Sequence, residues 1–171
     1  MSESALPLTA VFQGWDRFQR DLLRAVAPLS SEQLALPVAS THWPIGMLVQ
    51  HILNDRIWWF NLWMGEGSPE AASFMHWEEE ETGQVAHSTA ELVAGLEATW
   101  GMIENALARW TVADLGHVFA PPAALTERER QIFGPSTRQE IIWHVLRHDM
   151  HHGGELAVGM GGYHLPTIWG S

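Results

Sequence analysis

The segment from residue 88 to residue 110 carries the most regular apolar pattern in the chain, and this pattern restricts the fold more than any other feature. Its large apolar residues follow one another at intervals of three, four, three, four and three positions: Val93, Leu96, Trp100, Ile103, Leu107 and Trp110. This spacing places them on one face of an α-helix, as in helices that pack into bundles. Ser88 and Glu91 form a capping-box motif, which predicts that the helix starts at Ser88.

Two earlier segments also carry a helical period. The first ends at Pro28, and its apolar stripe consists of Val11, Trp15, Phe18 and Leu22. A one-turn helix is predicted at residues 30–34. The second long helix is predicted to open between Thr41 and Pro44, because proline suits the first helical turn, and to end at Gly65 and Gly67. Its stripe, which Asp55 interrupts, consists of Ile45, Leu48, Ile52, Trp59 and Leu62.

A fourth periodic segment differs from the others because histidines stand in its apolar stripe. Ser136 and Gln139 form a capping box that predicts its start, and Gly161-Gly162 predicts its end. Between these two motifs, the stripe consists of Ile141, Val145, His148, His152 and Leu156, at intervals of four, three, four and four residues. Two histidines therefore occupy positions where a bundle helix would ordinarily bury apolar side chains.

These four segments predict an all-α fold, a four-helix bundle with two long connections, residues 65–87 and 111–135, in a single domain spanning residues 1–171. No segment alternates with period two, so almost no sheet is expected. Within the first connection, the acidic run of residues 78–81 is predicted to be solvated. Phe74, Met75 and Trp77, which lie beside or before that run, are expected to fold back onto the bundle.

The charge of the chain bears on its partners. The formal net charge is −11, and the nine basic residues are all arginines that form no stripe. An acidic surface repels phosphate backbones and anionic lipids, so we expect no nucleic-acid partner and no membrane partner. The start of the sequence carries no basic region followed by an apolar stretch, so we expect no signal peptide and a cytoplasmic protein.

Histidine spacing in the fourth segment indicates a metal site. His148 and His152 are four residues apart, so on a helix they lie one turn above each other and can bind one ion. His51, on the buried side of the second helix, supplies a third imidazole from a facing helix. Three protein ligands leave a coordination position open, which is the catalytic rather than the structural pattern. Imidazole ligands suit zinc, nickel, copper or iron, and zinc is our first choice.

Several alternatives stay open at this point. His144 is also four residues from His148. His151 directly precedes His152 and so lies one step round the helix from it. Either residue can be an outer residue of the site. Asp55 can pair with an arginine, orient His51, or act as a general base beside a metal-bound water. A zinc-protease motif is excluded: in the segment 148–152, Asp149 is shorter than the glutamate that acts as general base in His-Glu-x-x-His, and Val158 stands where the metzincin pattern has its third histidine.

The chain resembles the DinB/YfiT-like superfamily of four-helix bundles over nearly its whole length. The resemblance is carried by three stretches, Trp43-Pro44-Ile45, His51-Ile52-Leu53 followed by Trp58-Trp59, and residues 144–156. The ending of the last stretch is typical of the family, except that Gly153 stands where arginine is common. Position by position, the resemblance implies that the metal triad of the family falls on His51, His148 and His152.

The same resemblance implies a divalent metal near one end of the bundle and, frequently, a homodimer. Relatives include transferases and isomerases that use a low-molecular-weight thiol such as bacillithiol or mycothiol, and others resemble hydrolases. Our leading hypothesis is therefore a metal-dependent thiol S-transferase that takes a small thiol and an electrophilic substrate, with Asp55 as its catalytic side chain. The alternatives are a metal-dependent hydrolase and a non-enzymatic metal-binding stress protein.

Overall fold

The computed structural model describes residues 5–39, 43–82 and 86–169. Its α-helices, in chain order, are α1 (Leu8–Val11), α2 (Trp15–Val26), α3 (Ser31–Leu34), α4 (Ile45–Arg56), α5 (Pro69–Ala72), α6 (Trp77–Thr82), α7 (Thr89–Arg109), α8 (Glu127–Ile132) and α9 (Arg138–Gly162). A π-helix, Ile57–Trp63, continues α4, and a 3₁₀ turn, Val112–Asp114, follows α7. The described strands are two residues long: β1 (Val118–Phe119) pairs antiparallel with β2 (Ser136–Thr137).

The long helices α2, α4, α7 and α9 form a bundle in which α4 packs against both α7 and α9, and α2 packs against α7. Each contributes apolar side chains that are completely buried, among them Leu22, Ile52, Ile103 and Leu156. The two long connections run from α4 to α7 and from α7 to α9, and short helices lie within both. The prediction of an all-α four-helix bundle is confirmed.

Helix starts follow the capping motifs, with one error. The capping box at Ser88 is present as predicted, and the predicted one-turn helix at residues 30–34 is present with a capping box at Ser30. The one assigned to Ser136 and Gln139 is wrong, because the cap of α9 is Thr137 with Glu140. Ser136 pairs with Phe119 in the small sheet, so helical structure begins beyond it. For the second helix, Thr41 lies outside the described residues, and α4 begins at Ile45 directly after Pro44.

The first predicted stripe is also broken at its start. Gly14 has φ +103°, in the left-handed region that favours glycine, and it separates α1 from α2. Val11 therefore belongs to α1 and is 54% exposed, whereas Trp15, Phe18 and Leu22 are buried as predicted. The turn at Gly14 rotates the chain, so the spacing of Val11 from Trp15 no longer places both on one face.

The π-helix changes which residues of the second stripe face inward. Trp59 is buried as predicted, but Leu62 is only partly buried, and Trp63 takes the inward position one residue further along. A π-helix has more residues per turn than an α-helix, so the inward position moves along the chain by about one residue. The rings of Trp59 and Trp63 lie 4.9 Å apart, centroid to centroid.

A buried ion pair ties together all four long helices. Arg56 on α4 and Asp149 on α9 are both fully buried, and the Arg56 Nη2 atom lies 2.8 Å from Oδ2 of Asp149. Trp15 on α2 donates its ring N–H to the same oxygen at 2.7 Å. The Arg56 Nη1 atom donates to Gln19 on α2 at 2.8 Å and to Thr99 on α7 at 3.4 Å. The two side chains are 93 residues apart in the sequence, and no local pattern predicts the pair.

Two glycines of α9 allow a matched test of the packing. A Cβ atom built on Gly159 would lie 2.8 Å from the backbone oxygen of Val38, whereas one on Gly154 meets nothing within 4 Å. We expect Gly159→Ala to destabilise the protein by about 1–3 kcal/mol, because the backbone at Val38 must move. Gly154→Ala should stabilise it by about 0.5–1 kcal/mol, because alanine favours the helix.

Thermal unfolding of the two variants beside the wild type measures this difference. Melting temperatures that shift in opposite directions support the close approach of α9 to Val38. A Gly159→Ala variant that melts as high as Gly154→Ala would contradict it.

None of the described helices is both long enough and apolar enough to cross a membrane.

Candidate metal centre

Three imidazoles converge where α4 faces α9. His51 on α4 and His148 and His152 on α9 each offer a nitrogen atom, and these three atoms all lie within 4.8 Å of one another. The ring centroid of His51 is 4.7 Å from that of His148 and 4.8 Å from that of His152, and the two rings on α9 are 4.3 Å apart. The structure thus brings together the three residues that the sequence predicts as ligands.

Each of the three rings has a carboxylate beside its Nδ1 atom. Nδ1 of His51 is 2.9 Å from Glu80, and Nδ1 of His152 is 2.7 Å from Glu155. For His148, the closest carboxylate is Asp55, whose Oδ2 atom lies 3.5 Å from Nδ1. A carboxylate can only accept a hydrogen bond, so the contacts of His51 and His152 favour the tautomer that carries its proton on Nδ1, whereas the contact of His148 with Asp55 is too long for a hydrogen bond.

This tautomer leaves the Nε2 lone pairs of His51 and His152 for a metal. The Nε2 atoms of His51 and His148 lie 3.0 Å apart. Two lone pairs facing each other at that distance repel unless a proton or a cation lies between them. Nitrogens bound to a tetrahedral ion at about 2.0–2.1 Å are about 3.3 Å from each other, which is close to the separation of these two atoms. Carboxylates behind ligand histidines are the usual outer partners of protein metal sites.

Burial favours the uncharged form of the two ligand rings on α9, His148 and His152. It lowers the pKa of His148 to about 3, although the nearby Asp55 opposes the shift. Burial also lowers the pKa of His152, against its hydrogen bond to Glu155, which raises it. At neutral pH protons therefore do not compete for these nitrogens, and a neutral imidazole is the form that binds metals. The donor set fits one divalent ion of borderline softness, such as zinc.

Asp55 lies at a different ring from the one that the sequence predicts. It is buried, and its Oδ1 atom is 3.2 Å from Nε2 of His144, while its Oδ2 atom faces His148. Glu80 occupies the position at His51 that we predict for Asp55 from the spacing of four residues. Asp55 thus joins two histidines of α9 to α4.

The other histidines of α9 hold outer positions. The ring of His144 packs against that of Trp59 at 4.8 Å, and its Nε2 atom faces Asp55 rather than the triad. His151 is 65% exposed. A second group of possible ligands, His151, His152 and Glu155, shares His152 with the triad, so both groups cannot use that residue at once.

Glu80 is the site residue that sequence reasoning missed. The prediction that the acidic run is solvated is wrong for this residue, whose side chain is only 13% exposed. Within α6, Trp77 also turns inward as predicted, and its ring centroid lies 6.1 Å from that of His51. Four consecutive glutamates carry no internal signal that singles out Glu80. The apolar residues just before them were the available indication that this segment packs on the bundle.

Aromatic rings lie beside His51 and extend away from it in a chain of contacts. The centroid of Trp43 is 4.9 Å from that of His51. The ring of Trp58 stands edge-on to Trp77 at 5.9 Å, and Phe133 lies 6.4 Å from Trp58. Such rings exclude water from part of the site, and a lower local dielectric strengthens the electrostatic interactions of a bound ion.

Comparisons with known proteins identify the family and the fold of the chain. A sequence model described as the DinB superfamily matches residues 15–156, a range that includes all three triad histidines. In fold, the chain is similar to a solved DinB-like protein from Bacillus cereus, with a TM-score of 0.62, 19% sequence identity and 90% of each chain covered. No curated protein matches the chain.

Proposed function

Because the chain belongs to the DinB superfamily, we propose that it is a divalent-metal-dependent transferase that joins a low-molecular-weight thiol to an electrophilic substrate. The observation that carries the proposal is the convergence of three imidazoles, each with a carboxylate beside its Nδ1 atom. His51, His148 and His152 would hold the ion. Three ligands leave one coordination position for an exchangeable group.

The nucleophile would have to come from solution. The chain contains no cysteine, so it has no thiol of its own. When bound, a divalent ion would lower the pKa of a thiol in its open position and favour the thiolate form. In the transfer, the thiol proton passes to solvent, the sulfur forms a bond to the electrophilic carbon, and the leaving group departs with the bonding electron pair.

The carboxylates of the site have positions suited to orienting ligands. Asp55 lies on the Nδ1 side of His148, so the ring would separate it from an ion held by Nε2 of that residue. That placement favours a role in fixing His148 and His144 over direct proton transfer from a bound thiol. Glu155, four residues from His151 and three from His152, fixes the ring of His152 in the same way.

Metal analysis followed by activity assays tests the proposal. Protein purified without a nickel column should contain about one divalent ion per chain, because three convergent imidazoles define one site. Loaded protein should then consume a small thiol in the presence of an electrophile such as an alkyl halide, and metal-free protein should not. Hydrolysis of ester or amide substrates without thiol would instead favour the hydrolase. Absence of both activities in loaded protein would favour a binding protein.

A further inference from the structure

Two buried amides of α4 hold one short segment of the chain against the metal centre. We call residues 74–82 the cover segment; it contains α6 and lies between α5 and α7. Gln50 and Asn54 project from α4 toward it and are buried, Asn54 completely. The Nε2 atom of Gln50 donates both to Asn54 at 3.0 Å and to the backbone oxygen of Phe74 at 2.7 Å.

Asn54 makes most of the polar contacts to this segment. Its Oδ1 atom accepts from the backbone N–H of His76 at 2.8 Å, and its Nδ2 atom donates to the backbone oxygen of the same residue at 3.2 Å. The Nδ2 atom also donates to Oε1 of Glu80 at 2.6 Å. Buried amides without partners are costly, so detaching the segment would leave Asn54 with several unmet hydrogen bonds.

The same oxygen of Glu80 contacts His51. Oε1 lies 2.6 Å from Nδ2 of Asn54 and 2.9 Å from Nδ1 of His51. Asn54 and His51 are three residues apart on α4, so both face the segment at once. One carboxylate oxygen therefore connects the amide that docks the segment with the ring that would bind the ion.

We propose that Asn54 is a positioning residue that docks the cover segment on α4, so that Glu80 reaches His51 and segment docking and metal binding strengthen each other. The inference rests on the proposed metal site and adds a means of controlling it. By thermodynamic linkage, if docking raises the affinity for the ion, the ion stabilises docking by the same factor. Trp77 moves with the segment, so its release would also uncover His51.

Zinc binding to four variants tests this coupling. Glu80→Gln and Asn54→Leu should each raise the zinc dissociation constant about tenfold, within the range that outer partners of metal ligands usually show. The double variant should also lose about tenfold rather than about a hundredfold, because Asn54 acts through Glu80. Glu78→Gln is the matched control: Glu78 is 73% exposed, contacts His76 rather than His51, and its loss should leave the constant unchanged.

Hydrogen exchange separates this proposal from the proposed function. The backbone amides of residues 76–82 should exchange faster in metal-free Asn54→Leu than in metal-free wild type, and zinc should slow their exchange in the wild type. Glu80→Gln with wild-type affinity, or additive losses in the double variant, would overturn the coupling. If the wild type binds no zinc, the proposed function fails. Independently of zinc, unchanged hydrogen exchange in metal-free Asn54→Leu would show that Asn54 does not dock the segment.

Discussion

Replacing Arg56 with methionine is expected to lower the free energy of unfolding by about 3–5 kcal/mol, the usual effect of removing one partner from a buried ion pair. The substitution leaves the carboxylate of Asp149 fully buried without its cation. Gln19 and Thr99 lose hydrogen-bond partners at the same time. Urea denaturation of the metal-free protein, followed by circular dichroism, measures the change without a contribution from a bound ion.

Two further variants show whether the buried charge is the cause. Arg20→Met removes an exposed arginine that pairs with Asp16 one turn away, and exposed pairs of this kind contribute at most about 1 kcal/mol. Arg56→Met combined with Asp149→Leu removes both buried charges and should recover much of the lost stability. A single Arg56→Met variant as stable as Arg20→Met would show that the pair is unimportant to the fold.

Replacing His148 with alanine is expected to weaken zinc binding by more than about 100-fold, beyond the 10–100-fold effect of changes to outer partners. His148 contributes the central ring of the triad, within 4.3–4.7 Å of both other rings, centroid to centroid. Isothermal titration of metal-free protein with zinc measures the affinity. Because an ion held by His51 and His148 joins α4 to α9, chelation should lower the melting temperature of the loaded wild type.

The control for this variant is His151→Ala, which removes a mostly exposed histidine of the same helix. It should bind zinc as the wild type does and show the same drop in melting temperature on chelation. The His148→Ala variant should melt at one temperature with or without chelator. Undiminished zinc affinity in His148→Ala would exclude the triad. A chelated wild type with an unchanged melting temperature would show that the ion does not connect the two helices.

The fold was predictable wherever one local pattern determines an element. The capping box at Ser88 needs only the neighbouring residues, and it is found in the structure. Leu96, Ile103 and Leu107 of the predicted α7 stripe are buried, whereas Val93 and Trp100 are only partly buried. The errors arise where a longer-range contact or an unusual backbone conformation intervenes. Pairing of Ser136 with Phe119 moves the start of α9, and the π-helix exchanges Leu62 for Trp63 on the buried face.

The candidate site likewise contains some residues that local patterns predict and others that they do not. His148 and His152 are recognisable from a spacing of four residues on an inward stripe, and His51 from its place on the buried side of another helix. Glu80 lies 29 positions from His51 in the sequence. Nothing in a run of identical side chains distinguishes it from its neighbours. Asp55 was recognisable as an inward carboxylate, but spacing along one helix could not show that its partners lie on α9.

Each partner of the buried ion pair directly adjoins a residue of the metal centre in the sequence. Arg56 follows Asp55 on α4, and Asp149 follows His148 on α9. A slide of α9 along α4 by a single helical turn would displace its residues by about 5.4 Å, which would break the ion pair and carry His148 away from His51. The ion pair therefore sets the longitudinal register of the two helices, and the three imidazoles are preorganised before any metal ion arrives.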